Sequence, residues 1–573
     1  MIGVHQDPVL VTQAAAIVLD AFDAYRAGHT TVTRRARARF ERRDWIGLHE
    51  DGTERLDLYA AWILKALDRL GRELGPLCGD RGFWHRVRSA IEGALGQRPD
   101  ADIGATFFNS VVRRALGSIA ADRETEFVFG LEAHSPSPAR LAVTYGADGP
   151  LAGAVRRLLG DLAWSAPWSN LPRDAATVAA RIEAAWAEAG HAAAEGLDVL
   201  PHVFYRGTRA FVVGRVRGPH GTMPLGLALR HDASGIAVDA VLLTEDAVSI
   251  VFSFTRAYFH VEDAQPAALV TFLQEIMPRK PRGELYTALG FFKHGKTLLY
   301  RDLVRHFAAS DDRFILAPGA KGMVMAAFTL PSMDVVFKVI RDRFAPPKTA
   351  TRRDVMERYA LVFRHDRAGR MVDAQEYEHL AFPRDRFEPD LLDELRGTCG
   401  SMLHEDGGAL EIRHLYTERR LIPLDLYLPR ASAADAEDAI VDYGQAIKDL
   451  AATNIFPGDL LLKNFGVTRH KRVVFYDYDE LCPLVDCRFR TLPQARNDED
   501  EMGAEPWYHV AENDVFPQEF LTFLGLPARL QPVFRSAHGD LLDVAFWQAL
   551  QARHRAGEAI DILPYRESER LPR

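Results

Sequence analysis

Cysteine is scarce in this chain, positive charge does not dominate, and no apolar stretch is long. Four cysteines in 573 residues, at positions 78, 399, 482 and 487, are too few and too scattered for a disulfide framework. Cys482 and Cys487 lie close in sequence but lack the paired spacing of a zinc site, so both read as free thiols. Lys and Arg number 70 against 79 Asp and Glu, a formal charge of −9, which argues against a general nucleic-acid binder and leaves room only for a local basic patch. No apolar run approaches the roughly 20 residues that cross a bilayer. The start, MIGVHQDPVLVTQAAAIVLDAFDAYRAG, has no basic region ahead of an uninterrupted apolar core. The expectation is a cytoplasmic chain with no signal peptide and no membrane partner. Internal repeats and low-complexity segments are also lacking.

What remains is an ordinary globular balance, 47% hydrophobic and 26% charged, in a chain too long for one core. Up to about residue 200 the pattern is helical, with Ala15, Val18, Leu19 and Phe22 on one stripe and Leu56, Tyr59, Ile63, Leu67 and Leu70 on another. Between them lies an arginine-rich stretch, residues 30–45, that reads as a solvated helix face or as a docking site for an anionic nucleotide or acidic partner. From residue 201 short β-rich runs punctuated by glycine predict an antiparallel sheet, followed by helices near 266–277 and 284–307. The polar sequence AASDDRF near residue 310 divides two expected domains, 1–310 and 311–573. Beyond it the order is strand, turn, strand, helix, strand, helix, loop, strand. A helix is predicted over 351–364 with Val355, Tyr359 and Val362 inward. Another covers 433–453 behind Ser432 as N-cap, with Ala436, Ile440, Tyr443, Ile447 and Leu450 inward. The fold class is α+β: a mainly helical N-terminal domain with a small antiparallel sheet, then a bilobal kinase-like domain.

Four pieces carry chemistry in that second half. The first is APGAKGM, comprising Ala317, Pro318, Gly319, Ala320, Lys321, Gly322 and Met323, between two strand-like runs. Glycines in such a turn let backbone N–H groups approach phosphate oxygens, and Lys321 adds charge. The full G-x-G-x-x-G of ordinary kinases is lacking, and alone the piece is equally a hairpin turn. The second is Lys338 inside VVFKVI, an alternating apolar strand in which a lysine needs an anion unless it snorkels at an edge. The third is FPGDLLLKNFG, where Asp459 and Asn464 stand in the D-x-x-x-x-N relation of a catalytic base and a metal ligand. The usual preceding His-Arg is replaced by Pro457-Gly458. A decoy HDR at 365–367 has Met371 where the asparagine belongs. The fourth is VVFYDYDE, ending a strand in Asp477 and Asp479, at the usual distance beyond Asn464 for the metal-binding aspartate. Tyr478 and Asp479 stand where Phe and Gly are usual, so two carboxylates can face one metal; a lone D-x-D would be a solvated turn. In this order the four pieces imply phosphoryl transfer from a nucleotide.

The run IRHLYTERRLIPLDLYL predicts a strand entering a hinge, with backbone groups of 418–421 offered to an adenine. The partner of Lys338 stays open among Glu357, in a plausible helical register, and Asp373 and Glu376 beyond it.

At these motifs the chain resembles the bacterial isocitrate dehydrogenase kinase/phosphatase family. The resembling stretches include APGAKGMVMAAFTLP, FKVIRDRFAP, HDRAGRMVD, IRHLYTERR, NIFPGDLLLKNFGVTRH and RVVFYDYDELCP, with weaker ones at FFNSV, VFYRGTRAFVVG and AEPWYHV. The resemblance implies a bifunctional enzyme that uses ATP and ADP with Mg2+ or Mn2+. It phosphorylates a serine of isocitrate dehydrogenase, removes that phosphate at the same site, and thereby controls entry to the glyoxylate bypass. It further implies an N-terminal regulatory domain responsive to AMP. The ATP loop maps onto 317–323, the ATP lysine onto Lys338, and an active-site aspartate onto Asp373, for which motif order supplies no role. The catalytic-loop and metal residues map onto Asp459, Asn464, Asp477 and Asp479. A homodimer is compatible with the sequence and not required by it. Two other readings share these residues, a small-molecule phosphotransferase and a non-enzymatic pseudokinase scaffold. The acid- and aromatic-rich segment 489–520, with Trp507 and Tyr508, reads as a surface for a protein partner or as a cover that packs Trp507 on the lower lobe.

Overall fold

The computed structural model describes residues 7–572 except 118–120, 132–140, 147–148, 254–257, 320, 347, 349, 366, 494–507 and 512. Two compact units emerge, Met1–Ser310 with Leu563–Arg573, and Asp311–Ile562. Ala320 and Trp507 lie outside the described residues.

In the first unit α1 (Pro8–Arg42) starts where Asp7 accepts from the Val9 amide and Pro8 fills a position that needs no donor; it stops at Arg43 in a left-handed conformation. α2 (Trp45–Leu74), α3 (Arg81–Gly96) and α4 (Ala101–Leu116) pack with it around Phe22, Tyr25, Tyr59 and Phe107. By length and composition α1 could cross a membrane, yet Val11, Ile17, Val18 and Phe22 are buried in this core. The arginine-rich stretch is tied up within the unit: Arg34 pairs with Glu262, Arg35 with Asp51 and Glu54, Arg37 with Glu41, and Arg39 with Asp44 and Asp51.

The region before residue 200 is less purely helical than its composition suggests. Besides α5 (Leu151–Asp161) and α6 (Leu171–Glu188) it holds β1 (Val143–Gly146) and β2 (Gly196–Val199), four residues each and too short to display an alternation. With β3 (Phe204–Arg206), β4 (Arg209–Gly218), β5 (Gly221–Asp232) and β6 (Gly235–Leu242) they form an antiparallel sheet ordered β1-β2-β4-β5-β6, β3 lying on β4. Helices α7 (Glu245–Val251), α8 (Pro266–Ile276), α9 (Arg282–Ala288) and α10 (Phe292–Ala309) complete the unit. The chain's last residues return to this sheet, where buried Asp239 accepts from Tyr565 Oη at 2.5 Å and Arg570 Nη2 at 3.1 Å.

The second unit opens with β7 (Ile315–Leu316), β8 (Met325–Thr329) and β9 (Val335–Ile340), then α11 (Arg352–His365), β10 (Ala374–Pro383), α12 (Pro389–Cys399), β11 (Leu403–Asp406) and β12 (Ala409–Arg419). These strands make an antiparallel sheet ordered β10-β12-β9-β8-β7, with β11 on β12. After β13 (Ile422–Pro423) and α13 (Leu424–Tyr427) comes α14 (Ala433–Ala452), capped by Ser432 and buried along Ala436, Ile440, Tyr443, Ile447 and Leu450. Short strands β14 (Ile455–Phe456), β15 (Phe465–Val467), β16 (Val473–Phe475) and β17 (Cys482–Pro483) carry the loops that bear the acids, and helices Gln531–His538 and Val544–Arg555 pack beneath. The thiols of Cys482 and Cys487 are free and 3.6 Å apart.

Arg370 fastens this lower part. Its guanidinium is buried, donating to Asp449 at 2.7 Å, to both oxygens of Asp442 at 2.8 Å and to the Val473 carbonyl at 2.9 Å. It thereby joins the approach to β10, the helix α14 and the strand β16. Removing the cation strands carboxylates that have lost their counter-charge. Arg370→Met is expected to lower the unfolding free energy by about 3–5 kcal/mol in urea titrations, and adding Asp442→Asn with Asp449→Asn should recover part of it.

Candidate active site

One cavity of about 350 Å3 in the second unit is lined by Ala317, Pro318, Gly319, Lys321, Gly322 and Met323 from the β7–β8 turn, and by Lys338, Asp459, Asn464, Asp477 and Asp479. Four motifs scattered over more than a hundred residues thus meet at one place. Asp373, just ahead of β10, does not line it; its carboxylate accepts from the Gln375 amide.

The turn between β7 and β8 depends on its glycines. Gly319 has φ +119°, a region that side chains avoid, and a Cβ on Gly322 would sit 3.0 Å from the Met325 carbonyl. Lys321 is not directed at the cavity centre alone: its ammonium pairs with Glu394 of α12 at 2.9 Å, and Arg341 shares that carboxylate.

Lys338 finds its anion in the sheet. Its ammonium lies 2.7 Å from Glu418 Oε2 and donates to the Tyr476 carbonyl at 2.8 Å. Tyr416 stands directly opposite Lys338 across β9 and β12, so Glu418, two residues along, shares its face. Glu357 instead pairs with Arg353 on the exposed side of α11, and Glu376 pairs with His414. None of the three acids considered from sequence is the partner, because strand register was not readable there. Glu418 is buried, which pushes its carboxyl above the ordinary range, while Lys338 and the Tyr359 hydroxyl at 3.2 Å hold it down. Glu418 and Arg419 are the last two residues of β12, and Glu418, Arg419 and Leu421 line the cavity.

The loop bearing Asp459 is braced by backbone contacts. Gly458 has φ +78°, and a Cβ there would come within 2.4 Å of the Glu480 carbonyl, so the Pro-Gly pair replacing His-Arg allows this loop to touch the acidic turn. Asp459 Oδ1 accepts from the Leu461 amide at 2.9 Å, and Asn464 Nδ2 donates to the Asp459 carbonyl at 3.3 Å, which leaves the Asn464 oxygen as the atom to meet a cation. Tyr478, where ordinary kinases carry phenylalanine, is buried against Tyr359 of α11 at 5.0 Å and donates to the Val372 carbonyl at 2.6 Å.

Burial and the neighbouring Asp479 charge push the Asp477 carboxyl up to about 7, against the pull of Lys338 and Lys348. Two crowded carboxylates and an amide oxygen suit Mg2+, which binds through one or two carboxylates plus phosphates and water rather than a full protein cage. Among the described residues no group of three His, Cys, Asp or Glu side chains is placed to hold a metal alone.

Comparison with known proteins decides the family. Residues 312–567 match the family described as isocitrate dehydrogenase kinase/phosphatase (AceK) kinase domain, and residues 15–311 match its regulatory domain. The chain belongs to the isocitrate dehydrogenase kinase/phosphatase family. Relatives carrying that name include one from Anaeromyxobacter sp. (strain Fw109-5), 49% identical over 97% of both chains. Another, from Xanthomonas euvesicatoria pv. vesicatoria (strain 85-10), is 43% identical over 97% of both. A third, from Pectobacterium carotovorum subsp. carotovorum (strain PC1), is 42% identical over 97% of this chain and 95% of its own. A solved structure titled "ROP18 kinase domain in complex with AMP-PNP and sucrose" overlaps 43% of this chain and 85% of that one at 10% identity, with a TM-score of 0.21, too loose to add to the fold described above.

The crowding of Asp477 has a measurable cost. Its proton is held more tightly in the folded chain than in the unfolded one, so above pH 7 this group works against folding, and the penalty fades as pH falls toward about 4. Asp477→Asn is therefore expected to raise the melting temperature of the nucleotide-free protein in chelator at pH 8, with the gain vanishing near pH 4.

Proposed function

We propose that this chain is a bifunctional enzyme of isocitrate dehydrogenase, transferring the γ-phosphoryl group of ATP to a serine of that protein and removing the phosphate at the same nucleotide-dependent site. The observation that carries the reading is the convergence of Lys338, Asp459, Asn464, Asp477 and Asp479 on one cavity beneath the glycine turn. The relatives' shared name supports isocitrate dehydrogenase as the protein acted on. Control of flux between the tricarboxylic acid cycle and the glyoxylate bypass follows from that substrate.

On this reading the 317–323 turn and Lys338 hold the nucleotide phosphates, Glu418 fixes the lysine, and the 418–421 segment faces the adenine. Asp459 orients the attacking serine hydroxyl and takes its proton. Asp477 and Asn464 would hold Mg2+ or Mn2+, which when bound neutralises charge on the β- and γ-phosphates. Asp479 replaces a glycine that transfer does not need, and its carboxylate serves the hydrolytic direction by taking a proton from water. Asp373 acts on the Lys338–Glu418 region from the β10 side rather than on the phosphate. AMP acts as an effector through the first unit, a reading supported by the regulatory-domain match over 15–311.

The test is incubation of the purified protein with isocitrate dehydrogenase and γ-labelled ATP, followed by ADP. Label should enter the dehydrogenase and then leave it; labelling of small molecules alone, or none, would sink the proposal. Lys338→Met should abolish both directions, and full-rate phosphatase in that variant would rule out a shared nucleotide site. Asp479→Ala should lose phosphatase by roughly 10²–10⁴-fold while the kinase loses far less. Equal losses would make Asp479 a shared metal ligand instead.

A further inference from the structure

Lys348 lies where the chain passes from β9 to α11, and none of the kinase motifs accounts for it. Its ammonium enters the same cavity as that of Lys338 but meets different acids, Asp479 Oδ2 at 2.9 Å and Glu480 Oε1 at 2.5 Å. The lysine side chain is 14% exposed and that of Asp479 11%, so the contact is largely out of water. Charges so placed hold each other firmly, because neither regains its hydration by turning away.

The backbone carrying Asp479 is already fixed from two sides. Gly458 of the catalytic loop admits the Glu480 carbonyl at a distance no side chain would tolerate. Tyr478, one residue before, is clamped by the Val372 carbonyl and by the ring of Tyr359. What freedom remains to Asp479 is rotation of its own side chain, and the hydrogen bond from Lys348 removes it. Oδ2 is thereby engaged, and the Asp479 carboxylate as a whole lies against that of Asp477.

We propose that Lys348 is a positioning residue for the hydrolytic direction, holding Asp479 so that its second oxygen meets the water that attacks phosphorus. This rests on the reading of Asp479 as the group that takes the water's proton. In that step the water oxygen bonds to phosphorus as the bond from phosphorus to the serine oxygen breaks. The serine oxygen keeps the electron pair and takes a proton from Asp459, the water's proton passes to Asp479, and solvent restores both carboxyls. Transfer in the kinase direction uses no acid at 479 and depends on Lys348 less. A lysine that merely gripped a nucleotide phosphate would instead matter equally in both directions and would show in KM for ATP.

The experiment compares Lys348→Met, Lys348→Arg, Asp479→Ala and the double variant Lys348→Met with Asp479→Ala, all in the full chain. Kinase and phosphatase rates and KM for ATP are measured on the same preparations, with melting temperatures as a control. Lys348→Met should lower the phosphatase rate about 10- to 100-fold more than the kinase rate, with KM for ATP little moved. Lys348→Arg should restore most of the difference, and the double variant should be no slower in hydrolysis than Asp479→Ala alone. Equal losses with a raised KM for ATP, unchanged rates, or a double variant slower than Asp479→Ala would each overturn the proposal. Asp479→Ala alone reports whether the underlying reading of that acid holds; if it loses both directions equally, that reading and this one fall together. Should Lys348→Met melt below the assay temperature, Lys348→Gln carries the same comparison.

Discussion

A cation in the middle of an apolar strand must be neutralised, and in the second unit the sheet itself supplies the anion. Lys338 sits between Phe337 and Val339, both fully buried, on β9. Its counter-charge, Glu418, comes from the adjacent antiparallel strand, diagonally across the register that sets Tyr416 opposite Lys338. Because side chains alternate between faces, a slip of one residue would carry Glu418 to the other side and strand the lysine. Register and site are therefore one constraint. The same ammonium binds the carbonyl of Tyr476, immediately before Asp477, so the pair also ties the sheet to the acidic turn.

The acidic turn has the opposite electrostatic difficulty. Asp477 and Asp479 crowd two negative charges into a partly dry space, and the protein answers with one lysine on each side, Lys338 and Lys348. Lys338 lies on β9 and Lys348 on the segment that follows it, and both reach the turn 476–480. The balance is incomplete, since Asp477 still holds its proton well above the ordinary carboxylate range. A divalent cation held there by Asp477 and Asn464 would complete the compensation that the lysines begin.

The sequence made the chemical residues legible because phosphoryl transfer demands given side chains at given separations. Asp459, Asn464 and Asp477 are read from spacing alone, and the structure brings them to one cavity with Lys338. The helix 433–452 was legible for a different reason, its N-cap serine and unbroken apolar stripe. Glu418 was hidden because the partner across a sheet depends on register, which no local pattern in β9 or β12 states. Lys348 was hidden in a loop with neither periodicity nor motif, and its meaning appears only when Asp479 is beside it. Gly458 carries a signal of its own: a glycine directly before Asp459 asks what approaches so closely that a Cβ must be absent. The answer is the Glu480 carbonyl. The arginine-rich helix left a solvated face and a docking face open in sequence, and the acids that pair with it, Glu262, Asp51, Glu54, Glu41 and Asp44, lie within the same unit.

Transfer and hydrolysis place conflicting demands on one cavity. Transfer needs the phosphorus shielded from water until a serine hydroxyl arrives, whereas hydrolysis needs one water admitted and deprotonated. If both directions use the same glycine turn and the same Lys338, as proposed above, contacts to the nucleotide cannot resolve this conflict. What differs is the fate of a proton, and only a carboxylate that transfer can spare is free to accept one from water. On the proposed reading Asp459 is committed to the serine oxygen, and Asp477 to the cation. Asp479 stands where transfer requires no side chain at all, held by Lys348 and by a turn that Gly458 and Tyr478 fix in place. On the proposed roles, one extra acid and the lysine that aims it add a second activity to a kinase site without disturbing the groups that serve the first.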